Sequence, residues 1–232
     1  MNRVFVTGDT HRDPQTFFNF LIDYGDNGNK LTKNDYLIIC GDFGFIWNSG
    51  SLDNYWLNWI DERPWTTLFI DGNHCNFTRI NSYPIIEWHG GKVHKVRDSI
   101  FHLMRGEVFT INKKTFFCFG GGLSVDKAYR IPYKSWWPEE IPNKEEYNNA
   151  IKNLELIDWA PDYIITHVMP DSYVREFYGS RYRPGDKAAY MCNDWLYQCH
   201  GYTKWYCGHY HCDIAMRPDF QICYKKIYEV MK

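Results

Sequence analysis

Five short apolar runs, each followed directly by polar side chains, constrain the fold more than any other feature of this chain. They are rich in β-branched and aromatic residues and read RVFVTGD, DYLIICGD, TLFIDGNH, DYIITHV and KWYCGHYH. Runs of this length and composition are typical of strands buried on both faces, as in parallel sheets covered by helices. We therefore predict an α/β protein in which all of these runs are strands.

Amphipathic segments separate several of the runs and predict helices. Asp13 and Pro14 are typical of a helix start, and Asn143 with Glu146 forms a capping-box pattern. Apolar residues at helical spacing follow each start. They are Phe17, Leu21 and Tyr24 in the first segment, and Tyr147, Ala150, Ile151, Leu154 and Ile157 in the second, which is expected to end near Asp158.

The middle of the chain has a different pattern. Several short runs between residues 85 and 121 are separated only by glycines or by Asn-Lys-Lys, which predicts hairpins and an antiparallel sheet between two halves of alternating strand and helix. No low-complexity linker interrupts the sequence, so one domain spanning 1–232 with two sheets is expected. Stretches 121–142 and 172–186 are predicted to be long loops, and their aromatic content argues against disorder.

The net charge, the lack of a long apolar run and the positions of the cysteines limit the partners and the cellular compartment that we expect. The net charge of −2 gives no support to a protein that binds nucleic acid through bulk charge. No apolar run approaches the roughly 20 residues that cross a bilayer, and the N-terminus does not resemble a signal peptide. Cys40 and Cys118 lie inside apolar runs, which favours reduced thiols. We expect a soluble cytoplasmic protein that has no membrane partner.

Each predicted strand delivers one or two potential metal donors at its carboxyl end. The donors are Asp9 and His11, Asp42, Asn73, His167, and His209 with His211. Residues far apart in sequence converge at this position, because ligands of parallel sheets bind outside the carboxyl ends of the strands. The sequence therefore predicts a metal site built from distant segments.

The donor set favours two cations. Asp9, His11 and His211 would serve one ion, and Asn73, His167 and His209 the other, with Asp42 bridging both through its two oxygens. If the glycine turn does not splay His209 and His211, they would instead serve the same ion. A pair of cations can acidify a shared water and neutralise phosphate oxygens, which suits phosphoester hydrolysis. Mn²⁺ is the first choice for this mixed set, with Fe, Zn and Ni as alternatives.

The ordered elements GDTH, GDFG, GNH, TH and GHYH resemble the calcineurin-like metallophosphoesterase superfamily, and they span residues 8–211. The resemblance implies a four-layer α/β/β/α sandwich of two mixed sheets flanked by helices, with a binuclear centre. It also implies that His74 is not a ligand but contacts the phosphate and protonates the leaving oxygen, a role that suits the ordinary pKa of histidine. His74 and Asp42 are thus the predicted catalytic residues.

Two departures from the family pattern affect the expected substrate and the group that is expected to support His74. The segment after Asp42 reads FGFIW and lacks the aspartate and arginine of phosphoprotein phosphatases and dinucleotide tetraphosphatases, which weakens both assignments. Cys75 occupies a position where an acidic residue commonly follows the histidine. A carboxylate that supports His74 must then come from elsewhere, and Asp71 is the candidate.

Several residues have a functional and a structural interpretation. Asp126, Lys127 and Arg130 could hold a phosphate or pair with one another to fix their loop. Trp136 and Trp137, with Tyr129 and Tyr133, could stack on a nucleobase or anchor that loop. Arg181 and Arg183 are expected to be solvated. The remaining histidines, which fit no motif, are interpreted as surface or structural: His89, His94, His102 and His200.

The sequence favours a hydrolase of a phosphodiester or phosphomonoester, with a small phosphorylated, nucleotide-like partner. A DNA or RNA nuclease of the same superfamily is the alternative, disfavoured because the chain has no basic domain or arm. A non-catalytic protein-binding scaffold is the rival from another class, although such a relative would be expected to have lost ligands. A structural zinc site at Cys192, Cys199, Cys207 and Cys212 is a third option, weakened by the lack of paired Cys-x-x-Cys spacing.

Overall fold

The computed structural model describes residues 2–25, 30–48 and 50–231. In chain order the strands are β1 (Val4–Thr7), β2 (Tyr36–Ile39), β3 (Thr66–Phe69), β4 (Ile85–Trp88), β5 (Gly91–Arg97), β6 (Ile100–Leu103), β7 (Glu107–Ile111), β8 (Lys114–Phe119), β9 (Tyr163–Thr166), β10 (Lys204–Cys207), β11 (Ile214–Arg217), β12 (Phe220–Ile222) and β13 (Tyr228–Met231). The α-helices are α1 (Gln15–Tyr24), α2 (Ser51–Asp61), α3 (Phe77–Ile80), α4 (Lys144–Glu155), α5 (Asp171–Tyr178) and α6 (Lys187–Gln198). Short 3-10 helices lie at Lys127–Tyr129, Pro138–Glu140 and Gly179–Arg181.

The strands form two mixed sheets. The first has the order β13-β1-β2-β3-β6-β5-β4, and its four central strands, β1, β2, β3 and β6, are parallel. The second has the order β11-β12-β10-β9-β8-β7, with β12, β10, β9 and β8 parallel. All five apolar runs of the sequence are central parallel strands, as predicted.

Alternation of side chains along the strands separates three apolar layers. Phe5 of β1 packs with Phe17 of α1 on the outer face of the first sheet. Its neighbours Val4 and Val6 point the other way and join Ile165 of β9 in the layer between the sheets. Both faces of β1 are therefore buried, which explains why its sequence shows no polar alternation.

The outer face of the second sheet is covered by the later helices. Ile164 of β9 lies in a cluster with Leu154 of α4 and Trp195 of α6. Helices thus cover both outer faces, and the two sheets pack against each other between them. The α/β/β/α sandwich of two mixed sheets that the sequence resemblance implied is confirmed.

The hairpins of the middle segment do not form a sheet of their own. Strands β4 to β6 extend the first sheet, because β6 pairs in parallel with β3. Strands β7 and β8 extend the second sheet, where β8 pairs in parallel with β9. The prediction of a separate antiparallel sheet is therefore wrong. The physical reason is that each hairpin pairs with a strand edge that would otherwise be left open.

The predicted helix starts agree with the structure. Asp13 Oδ1 accepts a hydrogen bond from Gln15 N at 3.0 Å where α1 begins. The capping box of α4 is complete, with Asn143 Oδ1 accepting from Glu146 N at 2.9 Å and Glu146 Oε2 accepting from Asn143 N at 2.8 Å. The helix ends at Glu155, three residues before Asp158, and turns follow it.

The two stretches predicted as loops differ in structure. Stretch 121–142 contains two short 3-10 helices in otherwise irregular backbone. Stretch 172–186 begins inside α5, so its first half is helical and not a loop. Tyr173, Val174 and Phe177 of this helix pack against the second sheet. These three apolar positions have the spacing of an amphipathic helix, a signal that the loop prediction does not take into account.

No disulfide links the eight cysteines, seven of which are buried. In the described part of the chain, the helices are too short or too polar to cross a membrane.

Candidate metal centre and active site

The donors predicted from the sequence follow the carboxyl ends of five central strands. Asp9 and His11 follow β1, Asp42 follows β2, and Asn73 follows β3, so these four come from the first sheet. His167 follows β9, and His209 and His211 follow β10, so these three come from the second. Because both sheets direct these strand ends to the same side of the sandwich, the structure brings all of them together.

One group of donor atoms consists of Asp9, His11 and His211. The Nε2 atoms of His11 and His211 are 2.9 Å apart. Asp9 Oδ2 lies 3.6 Å from His11 Nε2 and 3.2 Å from His211 Nε2. The three atoms form a compact triangle that is open to solvent on the histidine side, since both imidazoles are partly exposed.

A second group consists of Asn73, His167 and His209. Asn73 Oδ1 lies 3.0 Å from His167 Nε2 and 3.0 Å from His209 Nδ1. The two imidazole nitrogens are 3.3 Å apart. Since His209 belongs to this group and His211 to the first, the two histidines of the GHYH element face different groups. The turn after β10 splays them, which is one of the two arrangements left open by the sequence.

Asp42 lies between the two groups. Its Oδ2 is 3.8 Å from His11 Nε2 and 3.6 Å from His167 Nε2, so one oxygen faces both groups. Its Oδ1 accepts a hydrogen bond from the backbone N–H of His74 at 2.7 Å. In the structure Oδ2 is directed at both groups, and Oδ1 holds the backbone of the residue after Asn73.

The spacing of these atoms fits two divalent cations. Ligands bonded at about 2.0 to 2.2 Å and separated by near-tetrahedral or octahedral angles lie about 3 to 3.5 Å from one another. The separations within the two groups match that range or come close to it. Imidazole nitrogen, carboxylate and amide oxygen also form a mixed set that suits first-row divalent metals. Among the described residues, the candidate metal clusters contain no cysteine, so the alternative zinc site gains no support.

Neighbouring groups orient two of the donors. The Nδ1 of His167 lies 2.8 Å from the carbonyl oxygen of Cys40, and an N–H donated there leaves the Nε2 lone pair free for a cation. Asn73 Nδ2 donates to Ser124 Oγ at 3.1 Å, which turns Oδ1 toward the histidines. Ser124 is a supporting residue that sequence reasoning missed, because it lies in an irregular loop whose course no periodicity reveals.

The backbone at the donors is strained. His11, Asp42, His209 and His211 all have positive φ angles, of 44°, 46°, 67° and 49°. Non-glycine residues seldom adopt this region, and such strain concentrates at functional sites. Close packing adds a further constraint, because a Cβ placed on Gly208 would lie 2.2 Å from Asp9 Oδ1. The local backbone is thus specialised for positioning these side chains.

The electrostatics favour the ligand forms of two donors, Asp9 and His209. Burial raises the pKa of Asp9, but His167 and hydrogen bonds from His11 and His211 outweigh it, so the pKa lies well below its usual range. Burial, assisted by His167, lowers the pKa of His209 to about 3. Asp9 is therefore a carboxylate and His209 a neutral imidazole near neutral pH, which are the forms that bind cations.

A cleft of about 550 Å³ opens above the first group. His11 and His211 form part of its floor, and its walls include His74, Arg130 and Arg12. The His74 ring centroid is 5.6 Å from that of His11. Burial lowers the pKa of His74, Asp42 opposes this effect, and Arg130 adds to it. The predicted proton donor therefore borders the cleft beside the donor cluster.

The candidate phosphate-binding residues differ in whether they line the cleft. Arg130 lines the cleft, and its Nε and Nη2 donate to the two carboxylate oxygens of Asp126 at 2.8 and 2.7 Å. Lys127 is exposed and does not line the cleft. Arg12, which the sequence reasoning did not single out, also lines it and pairs with the buried Asp53. The only sequence signal for Arg12 is its position directly after His11.

Trp137 of the tryptophan pair anchors its loop. Trp137 is buried and donates its Nε1–H to Thr78 Oγ1 at 2.8 Å, while its ring contacts Trp47 edge-on. Tyr129 and Tyr133 are exposed. The contacts of Trp137 therefore agree with the interpretation that this residue anchors the loop.

Asp71 does not support His74. Its Oδ1 accepts from Arg105 Nε at 2.9 Å, and its Oδ2 lies 3.2 Å from His102 Nε2. The Nδ1 atoms of His102 and His94 are 3.0 Å apart, and both rings are buried. The expectation that Asp71 supports His74 is thus corrected: its carboxylate balances the charge of the buried Arg105 instead.

His94→Asn is expected to make stability less sensitive to acid. Burial, with the nearby His102, lowers the pKa of His94 to about 4. The unfolded chain then takes up a proton near pH 6.5 that the fold accepts only near pH 4. Stability is thus complete above pH 6.5 and falls by about 2 to 3 kcal/mol as pH drops through this window. Asn keeps a donor and an acceptor for His102 but does not titrate.

Urea unfolding at pH 7 and pH 4.5 measures this effect. His89→Asn is the matched control, because His89 is exposed. If the unfolding free energy changes equally between pH 7 and pH 4.5 in both variants, His94 is not the source of the acid sensitivity.

A model of the calcineurin-like phosphoesterase family matches residues 2–213, a span that contains every donor described above. A comparison with curated proteins found no match.

Proposed function

Because the chain belongs to the calcineurin-like phosphoesterase family and is therefore a metal-dependent hydrolase of phosphoric esters, we propose that it acts through two divalent cations at its two donor groups. The observation that carries this proposal is the position of Asp42 Oδ2, which lies within 4 Å of a donor of each group, 3.8 Å from His11 Nε2 and 3.6 Å from His167 Nε2. A carboxylate placed between two donor groups would suit a centre of two cations.

Seven residues would hold the cations. They are Asp9, His11, Asp42, Asn73, His167, His209 and His211. Mn²⁺ remains the first choice, because the set combines imidazoles with hard oxygens, and Fe, Zn and Ni are the alternatives. When bound, such a pair acidifies water and neutralises charge on phosphate oxygens.

The residues of the cleft supply the remaining chemistry. His74 borders the first group, so its imidazole is suited to protonate the leaving oxygen of an ester seated there. The hydrogen bond from His74 N–H to Asp42 Oδ1 fixes the backbone that carries this imidazole. Arg130, held in place by Asp126, presents a guanidinium that suits a phosphate oxygen. Lys127 has no supporting contact in the cleft, and Asp126 acts by positioning Arg130.

We infer a small substrate, either a phosphodiester or a phosphomonoester that is nucleotide-like. The cleft volume of about 550 Å³ lies within the roughly 300 to 1,000 Å³ typical of small-ligand sites. A net charge of −2 gives the nuclease alternative no electrostatic support. Eight unpaired cysteines support a reducing compartment, for which we propose the cytoplasm.

Removal of metal is expected to abolish hydrolysis. Chelation should lower the turnover of bis(p-nitrophenyl) phosphate by at least about 100-fold, and Mn²⁺ should restore it, because the cations supply the charge stabilisation that the donors alone lack. Elemental analysis of the reconstituted protein should find close to two Mn²⁺ per chain.

Variant His11→Ala should bind less metal than the wild type, whereas the exposed control His200→Ala should match it. Turnover that persists in chelator, or a single metal bound through sulfur, would refute the proposed centre.

A further inference from the structure

A second cavity, of about 310 Å³, opens beside the second donor group. His209, which belongs to that group, contributes to its lining, as does the neighbouring Tyr210. The opposite walls come from Leu123 and Val125 of stretch 121–142 and from residues of α5. The cavity therefore borders the second donor group at His209, whereas the cleft that contains His74 borders the first group at His11 and His211.

The lining of this cavity is largely apolar and aromatic. Val125 is 92% exposed and Tyr178 is 36% exposed, so both present apolar surface to solvent at the cavity. The Tyr178 and Tyr210 ring centroids are 6.1 Å apart, and Tyr210 lies edge-on to His209 at 5.0 Å. This surface suits a flat organic ring placed next to the metal-binding residues.

Two arginines at the cavity have no acidic partner among the described residues. Arg181 and Arg183 line the cavity, and Arg183 Nη1 donates only to the carbonyl oxygen of Tyr182, at 3.0 Å. The cavity thus presents two guanidinium groups whose donors are largely free. Free guanidinium groups beside an apolar pocket are suited to a phosphate.

The two carboxylates of the cavity are already engaged. Asp171 accepts from the Tyr182 hydroxyl at 2.6 Å and from Arg175 Nη2 at 3.2 Å. Asp186 accepts from the backbone N–H groups of Leu123 and Ala188, at 3.0 and 2.9 Å. These hydrogen bonds hold both carboxylates in place, and no ion pair joins either of them to Arg181 or Arg183 among the described residues.

The segment that carries the arginines is anchored. The Tyr182 hydroxyl binds Asp171 of α5, and the backbone N–H of Gly185 donates to the Tyr190 hydroxyl of α6 at 2.8 Å. The arginines therefore extend from a chain fixed at both ends, which lowers the entropy lost when they bind an anion.

We propose that this cavity binds the ring-bearing part of the substrate, and that Arg181 and Arg183 bind a second phosphate carried by it. The inference rests on the proposed function and narrows its substrate class. The substrate is a nucleoside-like ester with one phosphate at the metal centre and a further phosphate that is not cleaved. Arg181 and Arg183, expected from the sequence to be solvated, are thereby assigned a specificity role.

The kinetic test uses two esters with the same leaving group. They are methyl p-nitrophenyl phosphate and the 5′-p-nitrophenyl ester of thymidine 3′,5′-bisphosphate, of which only the second carries a ring and a further phosphate. The wild type should prefer the second in kcat/KM. In R181A/R183A the ratio of the two kcat/KM values should fall by about 10- to 100-fold, because charge-assisted hydrogen bonds are lost.

The control removes the same charge elsewhere. In K144A/K152A both exposed lysines of α4 are replaced, and the ratio should stay within about twofold of the wild type. An equal fall in both double variants, or a wild type that hydrolyses both esters without preferring the bisphosphate ester, would overturn the cavity assignment.

Binding separates this assignment from the proposed function. Calorimetry of thymidine 3′,5′-bisphosphate with Mn²⁺-loaded protein should give an affinity about 10-fold or more weaker in R181A/R183A than in K144A/K152A. A wild type that hydrolyses neither ester but retains this difference refutes the proposed reaction and supports the cavity. Hydrolysis of both esters with equal binding in the two double variants refutes the cavity alone.

Discussion

Asp42→Asn is expected to lower kcat/KM for p-nitrophenyl esters by about 1,000-fold or more and to reduce the bound metal. An amide offers one oxygen where the carboxylate offers two. If that oxygen accepts from His74 N–H, as Asp42 Oδ1 does at 2.7 Å, an NH₂ group faces the donor atoms of His11 and His167. If the amide turns over, the NH₂ group opposes His74 N–H. Either orientation removes one of the two functions of Asp42.

Asp98→Asn is the matched control, since the Asp98 side chain is exposed and pairs only with Lys95. It should retain full turnover and metal content. Wild-type turnover and metal content in Asp42→Asn would remove the basis for a shared centre at this residue.

His74→Ala is expected to lower turnover by about 100- to 10,000-fold, with a size that depends on the leaving group. Loss should be larger for an alkyl phosphate ester, whose alkoxide needs a proton, than for a p-nitrophenyl ester, whose phenolate leaves without one. Metal content should stay close to that of the wild type, because the His74 ring is outside both donor groups.

His200→Ala serves as the control, because that histidine is exposed and lies outside the cleft. Equal losses for the two leaving groups in His74→Ala would argue against proton donation. They would leave His74 with a role in contacting phosphate only.

The central strands of the fold can be predicted from the sequence, because a strand that is buried on both faces is a continuous apolar run. Runs such as YLII of β2 and YIIT of β9 are buried at every position, and the glycine or polar residue that ends each run marks the strand end. From those ends, the convergence of Asp9, Asp42, Asn73 and His167 follows from the parallel arrangement alone.

Finer features of the site depend on interactions that leave no sequence pattern. The separation of His209 from His211 depends on left-handed backbone at both residues. The orientation of Asp42 depends on a backbone N–H, which every residue type except proline carries. Asp71 is the candidate support for His74 in the sequence, whereas Arg105, in the turn between β6 and β7, binds its carboxylate in the structure.

Each donor group takes residues from both sheets: His211 completes the set of Asp9 and His11, and Asn73 completes that of His167 and His209. A cation bound in either group would thus link the two sheets of the sandwich. The unfolded chain does not bring these donors together, so cation binding stabilises the folded state relative to the unfolded state. The melting temperature of this protein is therefore expected to rise with the concentration of its metal.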